Sequence, residues 1–269
     1  MKAKPPTRRL SLASLAMETL APVEWAAHLA WRWQIGAWEK APGTPVLVLP
    51  GLGMPDMAMA PMRAAMERLG YCPEGWGMGV NTGPSVGVLK QISQKISALA
   101  DKHSQPVAVV GWSLGGAMGR AAAAHTVKDV RCVVAFGSPM GKRVESHLDG
   151  AFEILTGLAP NDKRFSRWMD KPLPGVPVSS IVSQDDGLLA WESGVLAERP
   201  LSETIVVRGI SHLGMPAHPV VLGLIHDRLL QSPDQWKPYT PDGAWERAWL
   251  ATLASAPAPR PRRRGMART

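Results

Sequence analysis

The chain has 269 residues, of which 45% are hydrophobic and 19% are charged, and its mean hydropathy is -0.05. This composition suits one large globular domain with a sizeable core, excludes disorder for the bulk of the chain, and excludes a collagen-like fibre. The net charge of +8 comes from the two ends, because residues 1–9 carry four basic side chains, residues 260–269 carry five, and neither range has an acid. Residues 10–259 therefore have a net charge of −1, which argues against a nucleic-acid-binding surface.

Apolar runs and cysteines narrow the class of protein further. Charged or polar residues interrupt every long apolar run, so no membrane-spanning helix is predicted. The two cysteines, Cys72 and Cys132, make neither a disulfide framework nor a zinc site, and we expect no metal and no cofactor. We expect a cytoplasmic protein. Because Arg8-Arg9 precedes a short apolar stretch and is similar to a twin-arginine signal, a secreted form stays an alternative.

Residues 1–44 are predicted to form an N-terminal amphipathic helical segment. Apolar residues recur at steps of three and four over residues 10–40, and a break is expected near Pro22. Tryptophans crowd the second half of this segment: Trp25, Trp31, Trp33 and Trp38. Such a segment commonly packs on its own domain, which is the interpretation we prefer, and the alternative is contact with a membrane surface.

Short, continuously apolar runs then predict strands that are buried on both faces of a parallel sheet. The five runs are residues 46–49, 107–110, 132–136, 178–182 and 204–207. Helical patterns lie between these runs, at 57–69, 86–102, 115–126 and 217–230. This alternation predicts right-handed βαβ crossovers and a three-layer α/β domain over residues 45–235.

Two ranges do not follow the alternation. Residues 139–175 mix aromatic and charged residues and are predicted to be an inserted helical segment, since they are longer than an ordinary connection. Residues 236–269 are predicted to be a C-terminal extension that ends in a disordered basic tail.

The motif G-x-S-x-G occurs twice, and its context separates the two matches. Ser113, within residues 111–115, follows a predicted strand and precedes a helix of small residues. That is the strand, sharp turn and helix of a nucleophile elbow, in which the serine is strained and exposed. Ser85, within residues 83–87, follows an irregular glycine-rich stretch and opens a helix, so we interpret it as an N-cap.

A serine hydroxyl needs a base and an orienting acid, which should follow it in the order Ser, Asp, His. Asp185 and Asp186 follow the fourth predicted strand, and His212 follows the fifth in a glycine-flanked loop. We prefer His212 to His218, which lies where the next helix starts. We prefer Asp186 as the acid, with Asp185 as a solvated or capping neighbour. Carboxyl ends of parallel strands meet at one edge, so these groups can converge on Ser113.

An oxyanion that forms on the substrate needs preformed donors. We expect one to be the backbone N–H of Leu114, directly after the nucleophile. The second is expected in the turn over residues 50–53, where glycines permit close backbone approach, and we choose the N–H of Leu52.

In this order, the motifs resemble those of the α/β-hydrolase superfamily, in its lipase/esterase-like branch. The resemblance covers about residues 45–230 and rests on residues 49–53, 111–116, 136–139, 186–187 and 209–212. It implies a three-layer α/β-hydrolase fold with a mostly parallel central sheet, a Ser113–His212–Asp186 triad, and an oxyanion hole from Leu52 and Leu114. It also implies that residues 139–175 form a short helical cap over the site. The antiparallel hairpin that usually leads the sheet is not visible before Val46, so we expect a sheet shortened at that edge.

The predicted function is a serine hydrolase that cleaves a small-molecule carboxylic ester through an acyl-enzyme. An apolar substrate pocket is expected from aromatic and aliphatic side chains: Trp112, Phe152, Leu155 and Trp168. One alternative is an acyltransferase or thioesterase that uses the same triad. Another is a non-catalytic membrane- or partner-binding protein with a vestigial triad.

Overall fold

The computed structural model describes residues 12–35, 37–141, 144–159 and 162–241. Six strands form one sheet: β1 Pro45–Leu49, β2 Cys72–Gly75, β3 Val107–Trp112, β4 Val130–Phe136, β5 Val178–Ser183 and β6 Ser202–Val207. Their order in the sheet is β2-β1-β3-β4-β5-β6, and each pair of neighbours is parallel. The predicted α/β class with a parallel central sheet is confirmed. Arg8-Arg9 and the whole of the predicted basic tail lie outside the described residues.

The strand β2 was not predicted, because its residues do not form an apolar run. It consists of Cys72, Pro73, Glu74 and Gly75, all half-buried, and pairs only with β1. Proline and charged residues are tolerated on an edge strand, where one side of the backbone has no ladder partner. Within the described residues, the sheet therefore starts at a short polar edge strand, with no antiparallel hairpin before β1.

Helices cover both faces of the sheet and complete three layers. They are α1 Leu12–Leu15, α2 Ala21–Ile35, α3 Ala60–Arg68, α4 Val86–His103, α5 Leu114–Ala123, α6 Asp149–Thr156, α7 Lys163–Asp170 and α8 Pro219–Leu230. Side chains alternate along the strands, so Val134 and Phe136 of β4 enter the core that contains α3 and α8. Val133 and Ala135 enter the opposite core, which contains α4 and α5.

Ser85 caps α4, as its position before a helical pattern predicts. Its hydroxyl oxygen accepts a hydrogen bond from the N–H of Val88 at 3.1 Å, which satisfies one of the free donors of the first turn. The second G-x-S-x-G match is therefore a helix start.

The insertion between β4 and β5 contains α6 and α7. The helix α7 packs against α5, and the guanidinium of Arg120 donates to the carbonyl oxygens of Trp168 and Lys171 at 3.3 and 2.6 Å. Arg120 is buried, and these bonds compensate its loss of water contacts.

The N-terminal segment packs on the carboxyl edge of the sheet. A 3-10 turn over Ala16–Leu20 separates α1 from α2, so the α-helix is interrupted shortly before Pro22. The indole N–H of Trp25 donates to Leu213 O at 3.0 Å, and the Nδ1–H of His28 donates to Ala217 O at 3.1 Å. Within the described ranges, no helix is both long and apolar enough to span a bilayer. Contact with a membrane surface stays a prediction.

Candidate active site

Ser113 occupies a sharp turn between β3 and α5. The strand ends at Trp112 and the helix starts at Leu114, so one residue reverses the backbone. Its φ of 53° lies in the left-handed region that non-glycine residues rarely adopt, with ψ at −131°. The backbone N–H of Ser113 donates to Phe136 O at 2.9 Å, which ties the turn to the end of β4.

The glycines on each side of Ser113 are required by close backbone approach. A Cβ on Gly115 would overlap Pro50 O and lie 2.8 Å from Leu49 O. A Cβ on Gly111 would lie 2.5 Å from the backbone nitrogen of Gly116. By contrast, a Cβ on Gly87, the last glycine of the other motif, would meet only Ser85 Oγ at 3.7 Å. The spacing at 111–115 is thus a packing requirement of the elbow.

The structure brings Ser113, His212 and Asp186 into one hydrogen-bonded line. The Ser113 hydroxyl lies 3.0 Å from His212 Nε2, and His212 Nδ1 lies 2.6 Å from Asp186 Oδ2. A carboxylate only accepts, so Nδ1 carries the proton and Nε2 is free to accept from the serine. The three residues are 8%, 2% and 5% exposed, respectively. An imidazole, a carboxylate and a hydroxyl are therefore aligned out of bulk water.

Backbone donors hold the second carboxylate oxygen of Asp186. Its Oδ1 accepts from Leu188 N at 2.9 Å and from Leu189 N at 2.7 Å, in the loop that follows β5. These two hydrogen bonds fix the plane of the carboxylate. Asp186 can therefore orient the imidazole without rotating away.

The neighbouring candidates lie elsewhere. His218 caps α8, where its Nδ1 accepts from Val220 N at 3.2 Å, and burial lowers its pKa to about 4. Asp185 accepts from Gly209 N at 2.8 Å and bridges the two loops beside the site. The contacts to Ser113 Oγ and to His212 Nδ1 come from His212 Nε2 and Asp186 Oδ2, respectively.

Opposing effects set the pKa of His212. Burial alone would lower its pKa, because a charged imidazolium loses its hydration. The charge of Asp186, the hydrogen bond to it and the charge of Glu18 outweigh burial and raise the pKa above the ordinary value of 6.5. The ring can thus hold a proton that it takes from Ser113.

A cavity opens above the hydroxyl of Ser113. Leu114 is the first residue of α5, so its N–H has no acceptor within the helix. Leu52 lies in the turn after β1, which touches the elbow: a Cβ on Gly51 would lie 3.2 Å from the Cβ of Ser113. Both leucines line the cavity. Their role as oxyanion donors stays a prediction.

The four predicted pocket residues lie in different places. Of these four, Phe152 lines the cavity. Trp112 shares the strand face of Val110, so its ring enters the core and its indole N–H donates to His212 O at 3.2 Å. Trp168 packs on the core beneath α7, and Leu155 is exposed. The other described residues that line the cavity come largely from the insertion and from the loop after β5: Pro139, Val144, Ser146, Leu148, Asp149 and Leu189.

Two carboxylates from the N-terminal segment also reach the site, and the sequence analysis did not predict them. Glu18 accepts from the N–H groups of Gly187, His212 and Leu213, at 2.8, 2.9 and 2.8 Å. Glu24 accepts from Ser211 N at 2.9 Å and from the Ser211 hydroxyl. Nothing in the spacing of these acids points to partners 169 to 195 positions away. In the described parts of the chain, no group of three His, Cys, Asp or Glu side chains could hold a metal ion.

Comparison with known proteins shows likeness in structure alone, since no family model and no curated protein matches the sequence. The mature lipase BlEst2 from Bacillus licheniformis is 14% identical, with a TM-score of 0.56 over 72% of this chain and 95% of that chain. Lipase B from Aspergillus fumigatus is 17% identical, with a TM-score of 0.55 over 72% of this chain and 55% of that chain. The N-acyl homoserine lactonase AidH is 12% identical, with a TM-score of 0.50 over 75% of this chain and 94% of that chain.

The two G-x-S-x-G motifs provide a matched test of the elbow. We expect Gly115→Ala to destabilise the fold by about 1–3 kcal/mol, because the new methyl group has no space beside Pro50. Gly87→Ala should be neutral or stabilising by up to about 1 kcal/mol, since Gly87 is a helical residue with open space around it. Urea unfolding of both variants checks this, and equal midpoints would contradict the packing argument.

Proposed function

We propose that this chain, which has the α/β-hydrolase fold, is a serine hydrolase that cleaves a neutral carboxylic ester with an apolar portion. The observation that carries the proposal is the buried line from Asp186 through His212 to the strained Ser113. A structural serine has no need of a left-handed turn, a base at its hydroxyl and an acid behind that base.

The first half of the reaction forms an acyl-enzyme. His212 Nε2 takes the proton of the Ser113 hydroxyl while the serine oxygen bonds to the ester carbonyl carbon. The carbonyl oxygen becomes an oxyanion, which the N–H groups of Leu52 and Leu114 stabilise. The imidazolium of His212, balanced by Asp186, then protonates the leaving alcohol as the C–O bond breaks.

The second half releases the acid. Water enters the space vacated by the alcohol, gives a proton to His212 Nε2 and bonds to the acyl carbon. The tetrahedral intermediate collapses, the bond to the serine oxygen breaks, and His212 returns the proton to Ser113. The products are an alcohol and a carboxylic acid, and the enzyme is unchanged.

The cavity lining supports an uncharged, partly apolar substrate. Phe152, Leu148 and Leu189 supply apolar surface next to the hydroxyl. Asp149 also lines the cavity, so a substrate with a negative charge at this place would be repelled. The similar structures include two proteins named as lipases and one named as a lactonase, which is consistent with the proposed substrate class.

Serine replacement tests the proposal directly. We expect Ser113→Ala to lower kcat/KM on p-nitrophenyl butyrate by about 10³-fold or more, because only residual stabilisation of the transition state is left. Ser85→Ala, in the other motif, should keep the activity and lose only about 1 kcal/mol of stability with the N-cap. Retained esterase activity in a folded Ser113→Ala protein would refute the proposed function.

The raised pKa of His212 predicts the pH profile. Only the neutral imidazole accepts the serine proton, so we expect kcat/KM to rise through an apparent pKa above 6.5. Asp186→Asn removes the main group that offsets the effect of burial on the pKa of His212. The acid limb of the kcat/KM profile should therefore move to lower pH, while kcat falls about 10⁴-fold. Asp185→Asn is the matched control and should leave the limb in place. A limb that stays in place in Asp186→Asn would contradict the electrostatic argument.

A further inference from the structure

The acid and base loops are joined by one carboxylate that belongs to neither. We define the acid loop as residues 184–190, after β5, and the base loop as residues 208–214, after β6. Glu18 Oε1 accepts from Gly187 N in the acid loop at 2.8 Å and from His212 N in the base loop at 2.9 Å. Its Oε2 accepts from Leu213 N at 2.8 Å. A single oxygen atom therefore sets the distance between the residue after Asp186 and the backbone of His212.

From this bridge we infer that Glu18 is a positioning residue of the hydrolytic site, which lines up Asp186 with His212 and holds the imidazole for catalysis. The inference rests on the proposed function. Glu18 does not touch the reacting atoms, and its effect passes through the backbone of the two loops. If the loops move His212 or Asp186 by about 1 Å, the rate can fall about 10²-fold.

The fit between the N-terminal segment and the acid loop is an independent observation for this role. A Cβ on Gly187 would lie 2.5 Å from Ser14 O and 2.7 Å from Glu18 Oε1. No side chain can be placed there, so the loop backbone lies directly on the segment. The glycine after Asp186 is thus explained by the approach of Glu18.

The base loop depends on the same segment for its backbone donors. Three consecutive N–H groups, those of Ser211, His212 and Leu213, donate to the carboxylates of Glu24 and Glu18. The carbonyl oxygen of Leu213 accepts from the indole of Trp25. Buried or half-buried backbone groups without partners are costly, so the loop requires this segment to keep its conformation.

The two carboxylates differ in what they can do to the imidazole. Burial lowers the pKa of His212 and Asp186 raises it, and the charge of Glu18 raises it further. Glu24 binds Ser211, the residue before the base, and burial raises the pKa of Glu24 itself. Glu18 therefore has both a geometric and an electrostatic effect on His212, and Glu24 serves as the comparison.

Two substitutions separate the effects of Glu18. Glu18→Gln keeps one oxygen that can accept from Gly187 and His212, but removes the charge and the acceptor for Leu213. We expect about tenfold lower kcat, little change in KM, and an acid limb of kcat/KM at lower pH. Glu18→Ala removes all three bonds, and kcat should fall about 10²-fold.

Glu24→Gln is the matched control. It removes a buried carboxylate from the same segment and leaves the three bonds to Glu18 in place. We expect a lower melting temperature, with the acid limb of kcat/KM at the wild-type pH. If Glu18→Gln lowers only the stability, with wild-type kcat and an unmoved limb, then Glu18 is only an anchor and the inference is wrong.

Proton NMR provides a measurement that does not need turnover. The Nδ1 proton between His212 and Asp186 should give a low-field signal in the full-length protein, assigned by its loss in Asp186→Asn. We expect its titration midpoint to fall in Glu18→Gln and its signal to vanish in Glu18→Ala. If Glu18→Ala does not fold, the Gln variant carries the test alone.

The outcomes separate this inference from the proposed function. A wild-type chain that neither reacts with a fluorophosphonate nor hydrolyses esters would refute the function, whereas the NMR midpoint would still report whether Glu18 acts on His212. An active wild type whose Glu18→Gln variant matches it in kcat, pH limb and NMR midpoint would refute the positioning role alone.

Discussion

The imidazole of His212 is the constraint on which the site depends. Burying a titratable ring costs free energy unless its nitrogens have partners, and here one nitrogen faces a carboxylate and the other a hydroxyl. Both partners must stay fixed, because a rotation of Asp186 or a relaxed turn at Ser113 would leave a buried polar atom unpaired. The strained elbow and the two hydrogen bonds that hold the Asp186 carboxylate follow from this requirement.

The parallel sheet makes the convergence possible. The strands β1, β3, β5 and β6 run in the same direction, so the residues after each strand meet at one edge. This edge receives the turn with Leu52, the elbow with Ser113, and the loops with Asp186 and His212. The N-terminal segment lies across the same edge, and the side-chain carboxylate of Glu18 accepts from backbone N–H groups of both loops. A site made from four separate loops is thereby held at fixed distances.

Much of this could be predicted from sequence because the signals are local. Apolar runs identified five of the six strands, whereas β2 has a proline and a glutamate and could not be separated from a loop. The strand–turn–helix context distinguished Ser113 from Ser85. The residue order after the strands selected Asp186 and His212, which the structure places together with Ser113.

Other features depend on contacts that no local pattern encodes. Trp112 was assigned to the pocket, although the alternation along β3 places it on the face of Val110, inside the core. Glu18 gives no local signal, since its partners Gly187 and His212 lie 169 and 194 positions further on. Such contacts form only when the N-terminal segment closes over the sheet edge.

The most direct test of the account is to find which atom of the folded protein reacts as the nucleophile. Full-length protein labelled with a fluorophosphonate and digested for tandem mass spectrometry should carry the phosphonyl group on the serine at 113. A phosphonyl group on another residue, or none on a protein that unfolds cooperatively, would contradict the claim that the loops with Ser113, Asp186 and His212 assemble a catalytic serine.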